Sequence, residues 1–445
     1  MSILMPTDTR RVLGANAGKC EARSLAYDRF ADPQLTEDER RVYFERAINR
    51  PALPEKAIAW RRFLVEGLRI TPQEILFGEL QSRLILNASG GVMVNAGLCL
   101  DRFSGVPFIP GSAIKACARR TALEKLREQS DRTAKVDGIV AIARLFGWGD
   151  QEWKDGCNQY DEFFSDFEYA SGPGADWIAV RASAAEILRA QLGLAVDSRK
   201  PTWEQLGSYG GDARFLPAYP WEPQPTGDLE LDILTCHHQD YYKDPRKEFA
   251  PDTEEPNPVV FPTVSRGLIF AFAVLGKDTD SAHAVREWLK SGLNVYGLGG
   301  KTSAGYGWFD TSDELQERQR ISSHSMIERE RETDRKRQEE KDRTQKALAE
   351  REATLKLRQD LEGLPPDQQE DLKVARLSPD QFRSKVENLA NLAEMEKLAV
   401  YRALRGERQE FWHFMRDRND KGKRPWSVIV PQIFTLAKSR KEKMP

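Results

Sequence analysis

Between residues 311 and 362 the chain contains neither glycine nor proline. Those two residues are the strongest local interrupters of a helix, so their absence leaves helix as the natural state here. From Glu328 to Glu352 nearly every residue is charged or polar, and acidic and basic residues recur three and four apart. Pairs at that spacing support a solvated helix, but they leave no apolar face to bury. Leu348, Leu355 and Leu361 are too sparse for a long coiled coil. A helix over about 325–360 would extend on the order of 50 Å. The stretch divides the chain into a body, a long charged helix at 311–363, and a tail at 364–445 that follows Leu364-Pro365-Pro366. The tail regains helical periodicity. It carries the aromatics Phe411, Trp412, Phe414 and Trp426 and the basic residues Lys421, Lys423, Arg424, Lys438 and Arg440. It reads as a small helical module reached through a spacer.

The formal net charge of -2 over 445 residues argues against a coat for nucleic acid, which would be strongly basic. The average hides an asymmetry. Residues 1–310 hold 37 Lys and Arg against 43 Asp and Glu, whereas the last 45 residues hold 12 against 5. A local basic groove on an acidic body remains open. The five cysteines, Cys20, Cys99, Cys117, Cys157 and Cys236, are scattered and form no CxxC pair. Neither a zinc site nor a disulfide framework is expected. With no signal-peptide pattern and no long apolar run, the chain reads as cytoplasmic.

Within the body, Thr36 followed by Glu37 and Asp38 starts a helix over 36–50, and a second fits 54–69. Both belong to an N-terminal helical segment, 1–77, packed on the main domain. Leu80–Asn87 and Val92–Leu100 flank Gly90-Gly91, a hairpin signal. Helices follow from Ser112 to about Arg127 and over Val136–Phe146. Residues 148–226 are rich in Gly, Pro and aromatics and read as an irregular but ordered insertion, because its tryptophans need burying. Strand-like runs return at Arg214–Leu216, Leu229–Leu234 and Leu268–Leu275, a helix fits 281–291, and a last strand falls near 306–310. Without its insertions the order is strand, helix, strand, strand, helix, strand. That predicts an α+β fold of the ferredoxin-like (RRM-like) kind over 78–310, with one sheet face open as in many RNA-binding domains.

Three segments carry the candidate chemistry. Pro110-Gly111 opens a helix on which Ser112, Lys115 and Arg119 share one face, and Ser112 is placed to cap it. A helix N-terminus with two cations on that face suits an anion. The second segment, Gly297 to Gly307, contains Gly297, Gly299, Gly300, Gly305 and Gly307 with Lys301, Thr302 and Ser303. Backbone stripped of side chains can approach a phosphate chain closely. It is not a Walker A loop, because Val295 stands where the first glycine of that motif belongs. The third segment runs from Asp232 through His237 and His238 to Tyr241 and Tyr242. On a strand the adjacent histidines would face opposite ways, a poor geometry for one metal, so no metal is expected. The tyrosines fit either base stacking or a core.

In this order the helix start, the Asp232…His237…Tyr241-Tyr242 segment and the glycine loop resemble the RAMP superfamily of CRISPR proteins. Within it they are most similar to the sixth-subunit family of type III-B (Cmr-type) effector complexes. The resemblance covers about 78–310. It implies a ferredoxin-like RAMP domain with insertions, and partnership with CRISPR RNA and other RAMP subunits near the 3′ end of that RNA. It implies target RNA contacted only indirectly, cleavage left to another subunit, and no cofactor. Carried over, the RNA-binding residues are Gly111, Ser112, Lys115, Arg119, Gly297, Gly299, Lys301, Ser303, Gly305 and Gly307. Asp232 and His237 match the Asp…His segment, although Cys236 replaces the usual proline. The alternative is a metal-independent endoribonuclease that processes CRISPR RNA, with His237 or His238 as general base.

Overall fold

The computed structural model describes every residue except 1–10, 12–19, 29–34, 92, 94–95, 150, 155–164, 173, 196, 245, 247, 251, 254, 421–424 and 440–445. Val92, Cys157, Lys421, Lys423, Arg424 and Arg440 therefore lie outside the described residues. The chain forms two compact units, Met1–Ile327 and Glu328–Pro445.

Among the elements described, the first unit has α1 (Arg23–Asp28), α2 (Glu37–Ile48) and α3 (Glu55–Arg62) ahead of its first strand. Thr36 caps α2 as the sequence predicts, and Glu39 completes a reciprocal capping box that the sequence reading did not name. Tyr27, Phe44 and Ala47 carry this segment into the main core. Arg23 locks it further, pairing with Asp228 at 2.5 Å while both side chains are buried.

Next come β1 (Leu76–Leu80), α4 (Gly111–Arg127) and α5 (Arg132–Phe146). The hairpin expected around Gly90-Gly91 is not formed among the described residues after β1. Instead Leu84 makes a single bridge to Val264. The carbonyls of Arg83 and Ile85 accept from Gly307 and Gly300 of the glycine loop, each at 2.8 Å. Those acceptors are committed to a distant segment rather than to a local turn.

The region 148–226 corrects the irregular reading. It contains α6 (Asp166–Ser171) and α7 (Ala175–Leu192), followed by the short β2 (Arg214–Phe215). The alanine-rich α7 is masked in the sequence by the Gly, Pro and aromatic residues on either side of it. The expectation that the tryptophans are buried is met, with Trp153 and Trp177 at 1% and 0% exposure.

β3 (Leu229–Cys236) and β4 (Asn257–Val264) form an antiparallel ribbon, and α8 (Gln239–Lys243) follows β3. Pro258 and Pro262 lack the N–H that a strand between two neighbours needs, which suits β4 to an edge. β5 (Ile269–Phe272), β6 (Val274–Leu275), α9 (Thr279–Val295) and β7 (Phe309–Asp310) complete the unit. β1 lies between β5 and β7, antiparallel to both, with Gly78 opposite Phe270 and Leu80 opposite Phe309. Residues 214–221 run along the other side of β5 and β6. Trp221 N–H donates to Ile269 at 2.7 Å, and β2 pairs with β6. The architecture is α+β.

The chain then enters α10 (Asp313–Leu361). Its first turns belong to the body, beyond the boundary at 310 that composition suggests. Leu315 and Ile327 are buried, and the Gln316 amide bonds both backbone groups of Phe77, at 2.9 and 2.7 Å. Among the described residues no helix is long and apolar enough to cross a membrane.

The second unit contains α11 (Pro366–Ala375), α12 (Pro379–Glu387), α13 (Glu394–Arg405), α14 (Gln409–Asp420) and α15 (Trp426–Ser439). Trp412, Tyr401, Trp426 and Met415 fill a core of its own.

Candidate RNA-binding surface

Helix α4 starts where Pro110 ends an extended segment, and Pro110 is its N-cap. Ser112 therefore lies inside the first turn, and the cap expected from its side chain is not made. Gly111 has a packing reason: a Cβ there would sit 2.2 Å from the carbonyl oxygen of Phe215. The shared face does form. Ser112, Lys115, Arg119 and Arg120 line an open groove of about 560 Å³, together with Glu124, Asp166 and Tyr169.

The cations of this groove differ in state. Arg119 is engaged by two carboxylates, Glu152 at 2.8 Å and Asp166, and it stacks 5.6 Å from the centre of the Phe167 ring. It anchors α6 and the segment around Glu152. Lys115 has no ion-pair partner among the described residues. Partial burial, with the Arg119 charge nearby, lowers its pKa below the usual lysine value. Arg120, which the motif pattern does not single out, lies 4.8 Å over the Tyr296 ring. Its adjacency to Arg119 is the signal that could have found it.

Tyr296 leads into the glycine loop, so α4 adjoins that loop at its base. Cys117 Sγ lies 3.7 Å from the carbonyl of Gly297. Gly292 lets α9 approach closely, since a Cβ there would meet Thr121 at 2.4 Å.

The glycines of the loop are used mainly to fold the chain against itself. A Cβ on Gly307 would fall 2.0 Å from the Leu298 carbonyl oxygen, and one on Gly299 would fall 2.4 Å from that of Ile85. Gly297, Gly299, Gly305 and Gly307 all have positive φ. The amides expected to be bare are largely engaged. Those of Leu298, Gly300, Ala304, Gly305 and Gly307 donate to backbone carbonyls at 2.8–3.0 Å. What the loop presents outward is Lys301, Ser303, Ala304 and Gly305, all exposed. Lys301 itself has φ 57°, a left-handed conformation that costs a non-glycine residue energy. It has no ion-pair partner among the described residues.

Asp232 is tied into the same structure. It accepts from Tyr306 Oη at 2.6 Å and pairs with Arg83 at 3.1 Å. Burial first, and then this hydrogen bond, push Tyr306 up to about 12. Asp232 thus holds β3 against the loop, and the charge pairing of Arg83 with Asp232 and Glu230 is invisible to a reading of local motifs. The histidines are not on a strand. β3 ends at Cys236, leaving His237 exposed on a bend and His238 half-buried. Tyr241 and Tyr242 lie on α8, with Tyr242 strongly exposed and its ring 5.5 Å from that of Tyr241. Among the described residues no group of three His, Cys, Asp or Glu is placed to hold a metal.

The stretch of chain that carries this surface matches a known family. The RAMP superfamily model matches residues 89–310, just under half of the chain. Its similarity narrows further to the CRISPR system Cmr subunit Cmr6 of Pyrococcus furiosus. The two are 26% identical over 238 residues, which is 51% of this chain and 64% of that relative. The match thus spans somewhat less than two thirds of the curated relative. Among solved structures, a type III-B Cmr-beta complex bound to cognate target RNA aligns with a TM-score of 0.37 at 18% identity, covering 64% of this chain and 77% of the matched one. The crystal structure of Cmr6 from P. furiosus aligns with a TM-score of 0.26 at 23% identity, covering 54% and 97%.

Proposed function

We propose that this chain is a non-catalytic, CRISPR-RNA-binding subunit of a type III-B interference complex in the cytoplasm, seated at the filament end near the 3′ end of the RNA. The observation that carries the reading is that Lys115 and Lys301, on two elements joined at their base, have no ion-pair partner among the described residues. The match to the RAMP superfamily gives that pair its context. Lys115 and Lys301 grip phosphates, with Ser112, Ser303 and Arg120 beside them, and such contacts give affinity without sequence preference. Gly111, Gly297, Gly299 and Gly307 shape this surface, Gly305 lies on its outer edge, and Arg119 braces it. Asp232 is structural in this reading, whereas Tyr241 and Tyr242 are available to a base. The run of residues 214–221 beside β5 and β6, with β1 next and β7 beyond, supports the ferredoxin-like description of the sheet.

His237 lies exposed on a bend, outside the groove that Lys115 and Arg119 line, which favours the non-catalytic reading over the endoribonuclease. Two experiments test the proposal. CRISPR RNA carrying 4-thiouridine, crosslinked in the assembled complex, is expected to mark peptides within 111–120 and 297–307; crosslinks confined to other subunits would refute it. Precursor RNA incubated with the chain in EDTA is expected to stay intact, and a discrete product abolished by His237→Ala would establish the nuclease instead.

A further inference from the structure

The second unit carries an aromatic and guanidinium surface that the RAMP-based reading does not use. Phe411, Phe414 and Arg418 fall at i, i+3 and i+7 along α14, so they share one face. The rings of Phe411 and Phe414 stack at 5.7 Å with planes 16° apart. The Arg418 guanidinium lies 4.4 Å from the centre of the Phe414 ring. Trp426 stands edge-on behind both rings, at 5.6 and 6.0 Å, and Arg383 lies 5.7 Å over Trp426.

The core of this unit is complete without the outer end of that stack. Trp412 and Met415, on the neighbouring positions of α14, are 1% and 0% exposed, whereas Phe414 is 36% exposed. A large ring left partly in water and capped by a guanidinium presents a flat, cationic stacking platform. Glu387 accepts from Arg383 Nε at 3.0 Å and orients that second guanidinium. As sequence, the last 25 residues of the chain are basic, with seven Lys and Arg against one Glu over residues 421–445. Aromatic rings and guanidinium planes match an unpaired base of a phosphate-bearing strand, because every base offers a π face. An apolar helix from a partner protein would gain little from two guanidinium groups.

We propose that the second unit is a single-stranded RNA-binding module. In it a base stacks on the Phe414–Arg418 pair. This contact is separate from the one at Lys115 and Lys301 and stands whether or not that site binds RNA.

The test uses the full chain with Lys115→Ala and Lys301→Ala already in place, so that the first site cannot supply the signal. The probe is a fluorescent twelve-nucleotide oligouridylate at fixed salt. Adding Phe414→Ala and Arg418→Ala is expected to weaken binding about five-fold or more, the low end for one base stacked on one aromatic ring. Phe414→Leu, which keeps apolar volume, is expected to lose binding as alanine does, while Phe414→Tyr retains it. Crosslinks from 4-thiouridine probe are expected on α14. The proposal is overturned if the parent variant does not bind the probe, or if Phe414→Ala with Arg418→Ala leaves affinity within two-fold. It is also overturned if Phe414→Leu binds as well as phenylalanine, which would make the site a packing feature and not a stacking one.

Discussion

Arg119 shows how a residue chosen for one role fills another. The sequence places it correctly on the face with Ser112 and Lys115, because a 3.6-residue period is local information. It does not show that Glu152 and Asp166 arrive from elsewhere to neutralise it. Removing Arg119 leaves Glu152, already raised in pKa by burial, without its main counter-charge. We expect Arg119→Ala to lower stability by about 1–3 kcal/mol, the cost of a stranded buried polar group. Thermal unfolding checks this, and an unchanged midpoint would contradict the bracing role. Lys115 makes a pH-dependent prediction. Its folded pKa lies below the ordinary lysine value, so it loses its charge at lower pH than an exposed lysine does. A bound phosphate favours the charged form, so RNA affinity should fall as pH rises through the depressed value. The Lys115→Ala variant should lack that portion of the alkaline decline, as a titration of affinity between neutral and alkaline pH would show. Asp232 is legible in the sequence as a residue worth naming, but its partners Tyr306 and Arg83 come from two other segments, so its structural role is not.

At the scale of elements, helices and caps with local causes are readable: the Thr36 N-cap, the boundaries of α4, and the long α10. Pairings that depend on distant partners are not. The expected Gly90-Gly91 hairpin gives way because the carbonyls of Arg83 and Ile85 serve the glycine loop. The density of glycine in that loop suggests room for a ligand. Most of it instead lets the loop close against Leu298 and Ile85. That gives a sharp expectation for Gly307→Ala, which combines φ 71° with a 2.0 Å clash against the Leu298 carbonyl oxygen. The loop must open locally, at a cost of a few kcal/mol, in the range of strained backbone plus a lost buried hydrogen bond. Gly305→Ala meets nothing within 4 Å and carries only the positive-φ penalty. Comparing the two by denaturant unfolding checks the account, and equal effects would contradict it.

For the whole molecule, the compositional break locates the charged helix but sets the end of the body too early. Gln316 and Ile327 belong to the first unit, and a polar helix gives no sign in its sequence that its first turns are buried. A chain ending after Ile327 is therefore expected to fold and bind CRISPR RNA. One ending at Glu314 should be markedly less stable, because it strips the amide partner from Phe77 and exposes the cluster around Leu64 and Trp221. Expression of both, with circular dichroism and thermal melts, distinguishes these outcomes. The same truncation after Ile327 also tests whether the tail contacts a neighbouring subunit, through loss of a partner on co-purification. The central claim is that Lys115 and Lys301 hold CRISPR RNA by its phosphates. Its most direct test is the salt dependence of CRISPR-RNA affinity in the assembled complex, with and without Lys115→Ala and Lys301→Ala. The account predicts weaker binding that is similar for unrelated guide sequences. It also predicts a slope of log K against log salt flattened by about 0.7 for each lysine removed. Unchanged affinity and an unchanged slope in the double variant would contradict it.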